Sequence, residues 1–331
     1  MKKRTFLRKL LKRTMFLALF LIAMMVVAVA YVTNPVMGSV PAFPTELVAD
    51  SNQLRADVEA LAANPKRHFH DVAALDTSAA YLHQRLQSMG YAVNYQTYTV
   101  NGNTYRNVVA HYGPEDGERL VIGAHYDVCG EQAGADDNAS GVAGVLEVAR
   151  LLQTHQPALD YRIDLVLYSL EEPPAFRSEA MGSYIHAQTL KKAEAPMKGM
   201  ICLEMIGYFS DEPKSQRYPA GIMKTVYPSK GNFIAVVGTT GQHRFTKNVK
   251  KGMMSACDVN VVSINAPKWV PGIDFSDHQN YWSQGWDAMM ITDTSFYRNK
   301  NYHEITDTPE TLDYGRMAEV VKGVYAAAVS L

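Results

Sequence analysis

The 331-residue sequence has little cysteine, glycine and proline, and these shortages exclude several classes of protein. Three cysteines can form one disulfide bond at most, which excludes a disulfide scaffold and leaves open which pair forms, if any. The 22 glycines and 15 prolines are too few for a collagen-like or low-complexity chain. A 47% share of apolar residues with a net charge of −1 indicates a folded protein. This length allows one large α/β domain or two smaller ones.

Several well-known motifs are also missing. The sequence has no HExxH zinc motif, no GxSxG nucleophile motif, no phosphate-binding glycine loop and no GxGxxG dinucleotide fingerprint. Any catalytic site must therefore be sought in the order and spacing of other polar residues.

Acidic residues are missing from the first 45 positions. Residues 1–13 carry seven basic residues, and the first acid is Glu46. Beyond residue 13 the chain has 25 Lys and Arg against 33 Asp and Glu, a net charge near −8. A body this acidic argues against nucleic acid as a partner.

Residues 14–32 are predicted to span a membrane. Met15–Val32 is uncharged, and a helix rising ~1.5 Å per residue would extend about 27 Å over these positions. The basic residues 1–13 should stay cytoplasmic, which places the rest of the chain in the periplasm or outside the cell. Ala28-Val29-Ala30 resembles a cleavage site, so a cleaved signal peptide and a secreted protein remain the alternative. Residues 33–45 are rich in Pro, Gly and Ser and are interpreted as a stalk.

Residues 46–331 are predicted to form one domain in which helices and strands alternate. Helices are predicted at 46–63 and 77–89, the second capped by Thr77. A β-hairpin is predicted at 91–112 with its turn at Asn101-Gly102-Asn103. Later strands are expected at 120–124, 163–170, 199–206, 233–237, 259–264 and 288–292, and later helices at 139–152, 178–190, 242–254 and 310–331. This alternation predicts an α/β fold with a mainly parallel sheet covered on both faces.

Polar residues follow several of these strands. His125 and Asp127 follow the strand at 120–124, and Glu171-Glu172 and Glu204 follow the next two, whereas Asp137 precedes a helix and His303 lies in a late loop. Each alone has an ordinary explanation, such as a helix cap or a solvated turn. Since the carboxyl ends of parallel strands meet at one edge, we expect these side chains to converge there. Two histidines and several carboxylates suit one or two zinc ions.

The same stretches resemble a known family. GAHYD (123–127), GADDNASG (134–141), LEE (170–172), EMIGY (204–208) and NYHEITDT (301–308) look like the motifs of the M28 zinc peptidases, which include co-catalytic aminopeptidases. The resemblance covers roughly residues 75–331. It implies a mixed, mostly parallel sheet of about eight strands sandwiched by helices, so that 46–331 would be an M28-type peptidase domain.

The resemblance also implies a role for each matching residue. Asp137 would bridge two zinc ions. His125 and Glu204 would complete the first metal site, and Glu172 and His303 the second. The peptide bond between Asp137 and Asn138 would be cis.

Two further residues would serve catalysis in this resemblance. Asp127 would orient the His125 imidazole, and Glu171 would be the general base that deprotonates a water held between the metal ions. The implied activity is that of a zinc exopeptidase acting on peptides, in the first place an aminopeptidase. A carboxypeptidase or dipeptidase, a glutaminyl-cyclase-like acyltransferase with one zinc, and a non-catalytic binding ectodomain are the alternatives.

The sequence departs from the family pattern at several positions. Glu204 stands where the family's aminopeptidases more often have Asp. The stretch 173–177, PPAFR, is expected either to shape the pocket wall or to act as a rigid spacer. Ser276-Asp277-His278, followed by Tyr281, resembles a pocket-lining segment, so Asp277, His278 and Tyr281 are candidates for the substrate pocket. Cys129 lies between His125 and Asp137, and we do not expect it to be a nucleophile. Oligomeric state and substrate side-chain preference stay open.

Overall fold

The computed structural model describes residues 2–331, with side chains from residue 6 onward. Helix α1 (Lys2–Thr33) contains both the basic residues near the amino terminus and the uncharged stretch Met15–Val32. Its part from Phe6 to Thr33 is long and apolar enough to cross a membrane, a property that signal sequences share. Apolar side chains such as Phe16 and Leu21 are exposed along this helix.

The stretch after α1, interpreted from the sequence as a stalk at 33–45, contacts the domain near both of its ends. The carbonyl oxygen of Thr33 accepts hydrogen bonds from Ser263 Oγ at 2.8 Å and from Lys250 Nζ at 3.3 Å. Asn34 is buried, and the backbone N–H of Phe43 donates to the carbonyl of Ser255 at 2.8 Å. These contacts fix the stretch on the domain surface.

Within the described residues, eight strands form one mixed sheet in the order β1-β2-β4-β3-β5-β8-β6-β7. Neighbouring strands β4, β3, β5 and β8 run parallel to one another, whereas β1, β2 and the β6–β8 pair introduce antiparallel contacts. The expected fold class is confirmed. The strands are β1 (Asn94–Val100), β2 (Asn103–Tyr112), β3 (Arg119–His125), β4 (Arg162–Tyr168), β5 (Met197–Leu203), β6 (Phe233–Thr239), β7 (Asn260–Ala266) and β8 (Ala288–Thr292).

Helices cover both faces of this sheet. Successive side chains of a strand point to opposite faces, so each strand contributes to two hydrophobic cores. In β3, Leu120 and Ile122 belong to one buried cluster and Val121 to the other. Residues of α2, α4, α6 and α8 fill the first cluster, and residues of α5 and α7 pack in the second. The helices after α1 are α2 (Ser51–Ala62), α3 (Val72–Ser88), α4 (Gly141–His155), α5 (Gly182–Lys192), α6 (His243–Met254), α7 (His278–Trp282) and α8 (Tyr314–Ala328).

Local rules explain where the predicted elements were right and where they were wrong. The β1–β2 hairpin is confirmed, and its turn residues Asn101 and Gly102 have φ values of 50° and 81°, which suit an Asn-Gly turn. The predicted start of α3 at Thr77 is wrong. Asp71 caps the helix by accepting from the Ala74 N–H, so Thr77 lies one turn inside.

Candidate metal centre and substrate cavity

Two histidines approach opposite oxygens of Asp137. His125, the last residue of β3, places Nε2 3.5 Å from Asp137 Oδ1 and 3.3 Å from Glu204 Oε2. His303 places Nε2 3.2 Å from Asp137 Oδ2 and 3.3 Å from Glu172 Oε1. The five side chains expected to bind metal therefore meet at one edge of the sheet. Asp137 lies between a first group, His125 and Glu204, and a second group, Glu172 and His303.

The contacts of the second group fit a metal ion better than they fit hydrogen bonds. Among the described residues, His303 Nε2, Glu172 Oε1 and Asp137 Oδ2 are buried atoms without a hydrogen-bond partner. Unpaired buried polar atoms are costly and rare in folded proteins. Two ligand atoms that each lie about 2.0–2.1 Å from a tetrahedral zinc are about 3.3–3.4 Å apart. The observed separations match that spacing, so these residues fit zinc.

Asp127 holds the two loops of the site together. Its Oδ1 accepts the Glu171 N–H and its Oδ2 the Glu172 N–H, each at 3.0 Å. His125 Nδ1 lies 3.2 Å from the Asp127 carbonyl oxygen and 3.4 Å from Oδ1. A protonated Nδ1 can donate to either oxygen, which leaves Nε2 free to bind metal.

Asp137 lies in the irregular turn Ala135–Ser140, directly before α4. Its peptide bond to Asn138 is cis, as expected. Asp307 accepts the N–H groups of both Asp136 and Asp137, at 3.0 Å to Oδ1 and Oδ2 respectively. The carboxylate of Asp307 therefore fixes the backbone that carries the bridging residue.

Arg67 is a buried residue of the site that sequence reasoning missed. Its guanidinium donates to the carbonyl oxygens of Tyr126 (2.9 Å), Ala133 (2.7 Å) and Gly134 (2.8 Å), and also to two carbonyls at the end of α2. Burial lowers its pKa to about 10, an effect that the negative charges of Asp307 and other site carboxylates partly offset. No motif surrounds Arg67 in the sequence that could have identified it.

Two neighbours hold Glu204, which follows β5. Ser276 Oγ donates to Glu204 Oε2 at 2.6 Å, and Asn138 Nδ2 lies 3.4 Å from the same oxygen. Asn138 Oδ1 also accepts the Met205 N–H at 3.0 Å. These contacts aim the longer Glu side chain toward His125.

The charges of the site shift the pKa values of its carboxyl groups in opposite directions. Burial would raise the pKa of Asp137, but the two histidines outweigh that effect and hold it below its ordinary value. Burial, together with nearby carboxylates, raises the pKa of Glu171 well above its ordinary value and that of Glu172 to about 7. Glu171 Oε2 lies 3.9 Å from His125 Nε2.

A cavity of about 300 Å³ opens onto this edge of the sheet. Asp137, Glu171, Glu172, Glu204 and His303 lie on its polar side. Most of the remaining wall is apolar or aromatic, a composition typical of a pocket for an apolar side chain. That wall includes Phe176, Tyr218, Val237, Ile264, Phe275, Met290 and Phe296.

The stretch 173–177 contributes to this wall. Pro173 and Phe176 line the cavity, and the bond between Pro173 and Pro174 is cis. The Phe176 ring packs edge-on against Phe275, with centroids 6.0 Å apart. The structure thus places this stretch in the pocket wall, the first of the two expected roles.

The expectation for Asp277, His278 and Tyr281 needs correction, because none of the three lines the cavity. All are buried behind it. His278 Nε2 donates to the carbonyl of Ile273 at 2.7 Å, and the Tyr281 hydroxyl lies 2.6 Å from His186 Nδ1. Ser276, the residue before Asp277, is the member of this segment that contacts a candidate metal ligand, Glu204. The sequence analysis named Ser276 without assigning it a role.

Comparison with known proteins finds a matching family model and several similar chains. Residues 107–328 match the family model described as peptidase family M28. YfbL of Escherichia coli (strain K12), an uncharacterized protein, is 45% identical over 300 residues, which cover 88% of this chain and 91% of that protein. Leucine aminopeptidase 1 of Pyrenophora tritici-repentis (strain Pt-1C-BFP) is 23% identical over 324 residues, which cover 92% and 76%. The solved structure of BSAP, a zinc aminopeptidase from Bacillus subtilis, shares the fold with a TM-score of 0.68 and 14% identity, covering 86% of this chain and 95% of that chain.

Proposed function

The chain belongs to peptidase family M28 and is a metallopeptidase. From this premise we propose that it uses two zinc ions to remove amino-terminal residues from peptides. One observation carries the proposal: Asp137 directs one oxygen toward His125 and the other toward His303, at 3.5 Å and 3.2 Å. A carboxylate placed in this way can bridge two ions. His125 and Glu204 would hold the first ion, and Glu172 and His303 the second.

Bound zinc would supply Lewis acidity and a water whose pKa is lowered toward neutrality. The protein supplies the proton carrier. Glu171 lines the cavity, and its Oε2 lies 3.9 Å from His125 Nε2, farther than the 3.3 Å that separates the same nitrogen from Glu204. Its carboxylate would accept the proton of the attacking water and return it to the leaving amine.

The cavity favours particular substrates. Its apolar wall would accept the side chain of a large apolar first residue, while the carboxylates at its polar side would attract a free amino terminus. The name leucine aminopeptidase of a relative agrees with this preference. A carboxypeptidase would need a cationic group for a terminal carboxylate. Among the described residues that line the cavity, Arg217 is the one arginine or lysine, whereas four carboxylates lie on the polar side.

We also propose that α1 anchors the protein in a membrane through residues 14–32, with residues 1–13 cytoplasmic and the peptidase domain outside. The apolar length of the helix and its basic end support this topology. Cleavage of the segment would release the domain as a secreted enzyme.

The role of Glu171 is tested by the Glu171→Gln variant of the zinc-loaded protein. We expect the turnover of a leucyl peptide to fall about 10²–10⁴-fold, the usual contribution of a general acid–base, while the zinc content stays that of the wild type. Glu179→Gln, at an exposed glutamate outside the cavity, is the matched control and should retain full activity. A fully active Glu171→Gln enzyme would refute the assigned base, and a zinc-loaded wild type that cleaves no peptide would refute the function.

A further inference from the structure

The Cys129 thiol lies beside the second metal group. Its Sγ, a carboxylate oxygen of Glu172 and a ring nitrogen of His303 all lie within 4.8 Å of one another. Cys129 is half-buried, and neither the proposed mechanism nor the family resemblance uses it. We propose that Cys129 is a fourth protein ligand of the metal ion held by Asp137, Glu172 and His303, an inference that rests on the metal-binding part of the proposed function.

The distances permit this coordination with little rearrangement. A sulfur about 2.3 Å and a nitrogen about 2.0–2.1 Å from the same tetrahedral zinc are about 3.6 Å apart. Since Sγ lies within 4.8 Å of a Glu172 oxygen and of a His303 ring nitrogen, it must approach these two atoms by at most about 1.2 Å. A rotation about the side-chain bonds of a half-buried cysteine can supply this movement.

An independent observation points to a ligand at the same place. Glu172 is 4% exposed and Asp137 is 2% exposed, yet Glu172 Oε1 and Asp137 Oδ2 have no hydrogen-bond partner among the described residues, and neither has His303 Nε2. Two of these three residues, Glu172 and His303, are the ones that lie beside the Cys129 thiol. A cation there would satisfy all of them together.

The other two cysteines do not share this environment. Cys202 Sγ lies 3.2 Å from Ser276 Oγ inside the core, and Cys257 Sγ donates to the carbonyl of Val259 at 3.4 Å. All three cysteines are free thiols. Cys257 therefore provides a matched control for replacing a thiol.

Coordination by Cys129 would make the two metal positions unequal. The S–H bond would be replaced by a sulfur–metal bond, and the proton would pass to solvent. The second ion would then have four protein donors, one of them a thiolate, whereas the first would have three and no sulfur. A thiolate also favours zinc over harder ions such as manganese.

Zinc K-edge X-ray absorption of the full-length protein loaded with two zinc ions tests the inference. We expect a sulfur shell about 2.3 Å from zinc in the wild type and in Cys257→Ser, and none in Cys129→Ser. The dissociation constant of one of the two zinc ions should rise at least about 10-fold in Cys129→Ser, because even a partner that only supports a ligand contributes 10–100-fold.

Alkylation of the wild type gives a second measurement that needs no variant to fold. Iodoacetamide labelling followed by peptide mapping should show that zinc protects Cys129 and leaves the labelling of Cys257 unchanged. Two bound zinc ions without a sulfur shell, or equal labelling of Cys129 with and without zinc, would overturn the inference and leave the proposed function standing. A protein that binds no zinc would overturn both.

Discussion

Replacing Arg67 with methionine is expected to destabilise the domain and loosen the metal centre together. The fully buried guanidinium connects the end of α2 with Tyr126, which lies between His125 and Asp127, and with the turn before Asp137. Methionine has a similar length and fills much of the same volume, so the substitution mainly removes the hydrogen-bond donors.

The expected loss of stability depends on the carbonyl oxygens that accept hydrogen bonds from Arg67. The carbonyls of Leu61, Asn64 and Gly134 each accept a second hydrogen bond from a backbone N–H. For the carbonyls of Tyr126 and Ala133, Arg67 is the only protein donor among the described residues. The carbonyl of Tyr126 is buried, and that of Ala133 is partly buried. Leaving the first unpaired costs about 1–3 kcal/mol and the second no more than that, which predicts a loss of about 1–6 kcal/mol in the free energy of unfolding.

Urea unfolding of the wild type and of Arg67→Met measures this loss directly. Lys66→Met is the matched control, because Lys66 is the neighbouring residue and forms only an exposed ion pair with Glu131 at 3.9 Å, worth about 1 kcal/mol or less. Zinc binding should weaken in Arg67→Met and stay unchanged in Lys66→Met. A loss of stability below about 1 kcal/mol in Arg67→Met would refute the account of Arg67 as the clamp of these loops.

Two further predictions concern a buried histidine and the contact to Glu204. Burial lowers the pKa of His186 from 6.5 to about 4, so the unfolded chain binds the proton first and stability falls as pH drops from 6.5 toward 4. Urea unfolding should show a loss of about 2 kcal/mol between pH 7.5 and pH 5 that His186→Gln lacks, and equal losses in both proteins would contradict this assignment. Ser276→Ala removes the 2.6 Å hydrogen bond to Glu204 and should weaken the binding of one zinc ion about 10–100-fold by competition titration. Ser283→Ala is the control, because the Ser283 hydroxyl donates to the carbonyl of Asn280 and accepts from the side chain of Gln284, away from Glu204. Unchanged zinc affinity in Ser276→Ala would contradict the prediction.

Part of the candidate metal centre could be predicted because several of its residues directly follow strands. His125 ends β3, Glu204 directly follows β5, and the Glu171-Glu172 pair comes shortly after β4. Parallel neighbours bring these positions to one edge whatever the details of packing. The mixed sheet and the β1–β2 hairpin were predictable for a similar reason, since period-2 patterns and Asn-Gly turns act locally.

Residues that act through tertiary contacts could not be identified in the same way. Arg67 lies about sixty positions before the loop that it holds, in a stretch with no periodic pattern. The burial of His278 and Tyr281 depends on how α7 packs against β8 and α5, which no spacing in the sequence reveals. The stretch at 33–45 has the composition of a linker, and that composition does not reveal the hydrogen bond from the Phe43 N–H to the carbonyl of Ser255.

The direction in which peptides are trimmed tests the proposed function most directly. One leucyl peptide would be supplied to the zinc-loaded protein with both ends free, with an acetylated amino terminus and with an amidated carboxyl terminus, and mass spectrometry would follow the products. We expect stepwise loss from the amino end of the free and amidated peptides and no cleavage of the acetylated one. Trimming of the acetylated peptide that amidation blocks would contradict the aminopeptidase account and identify a carboxypeptidase.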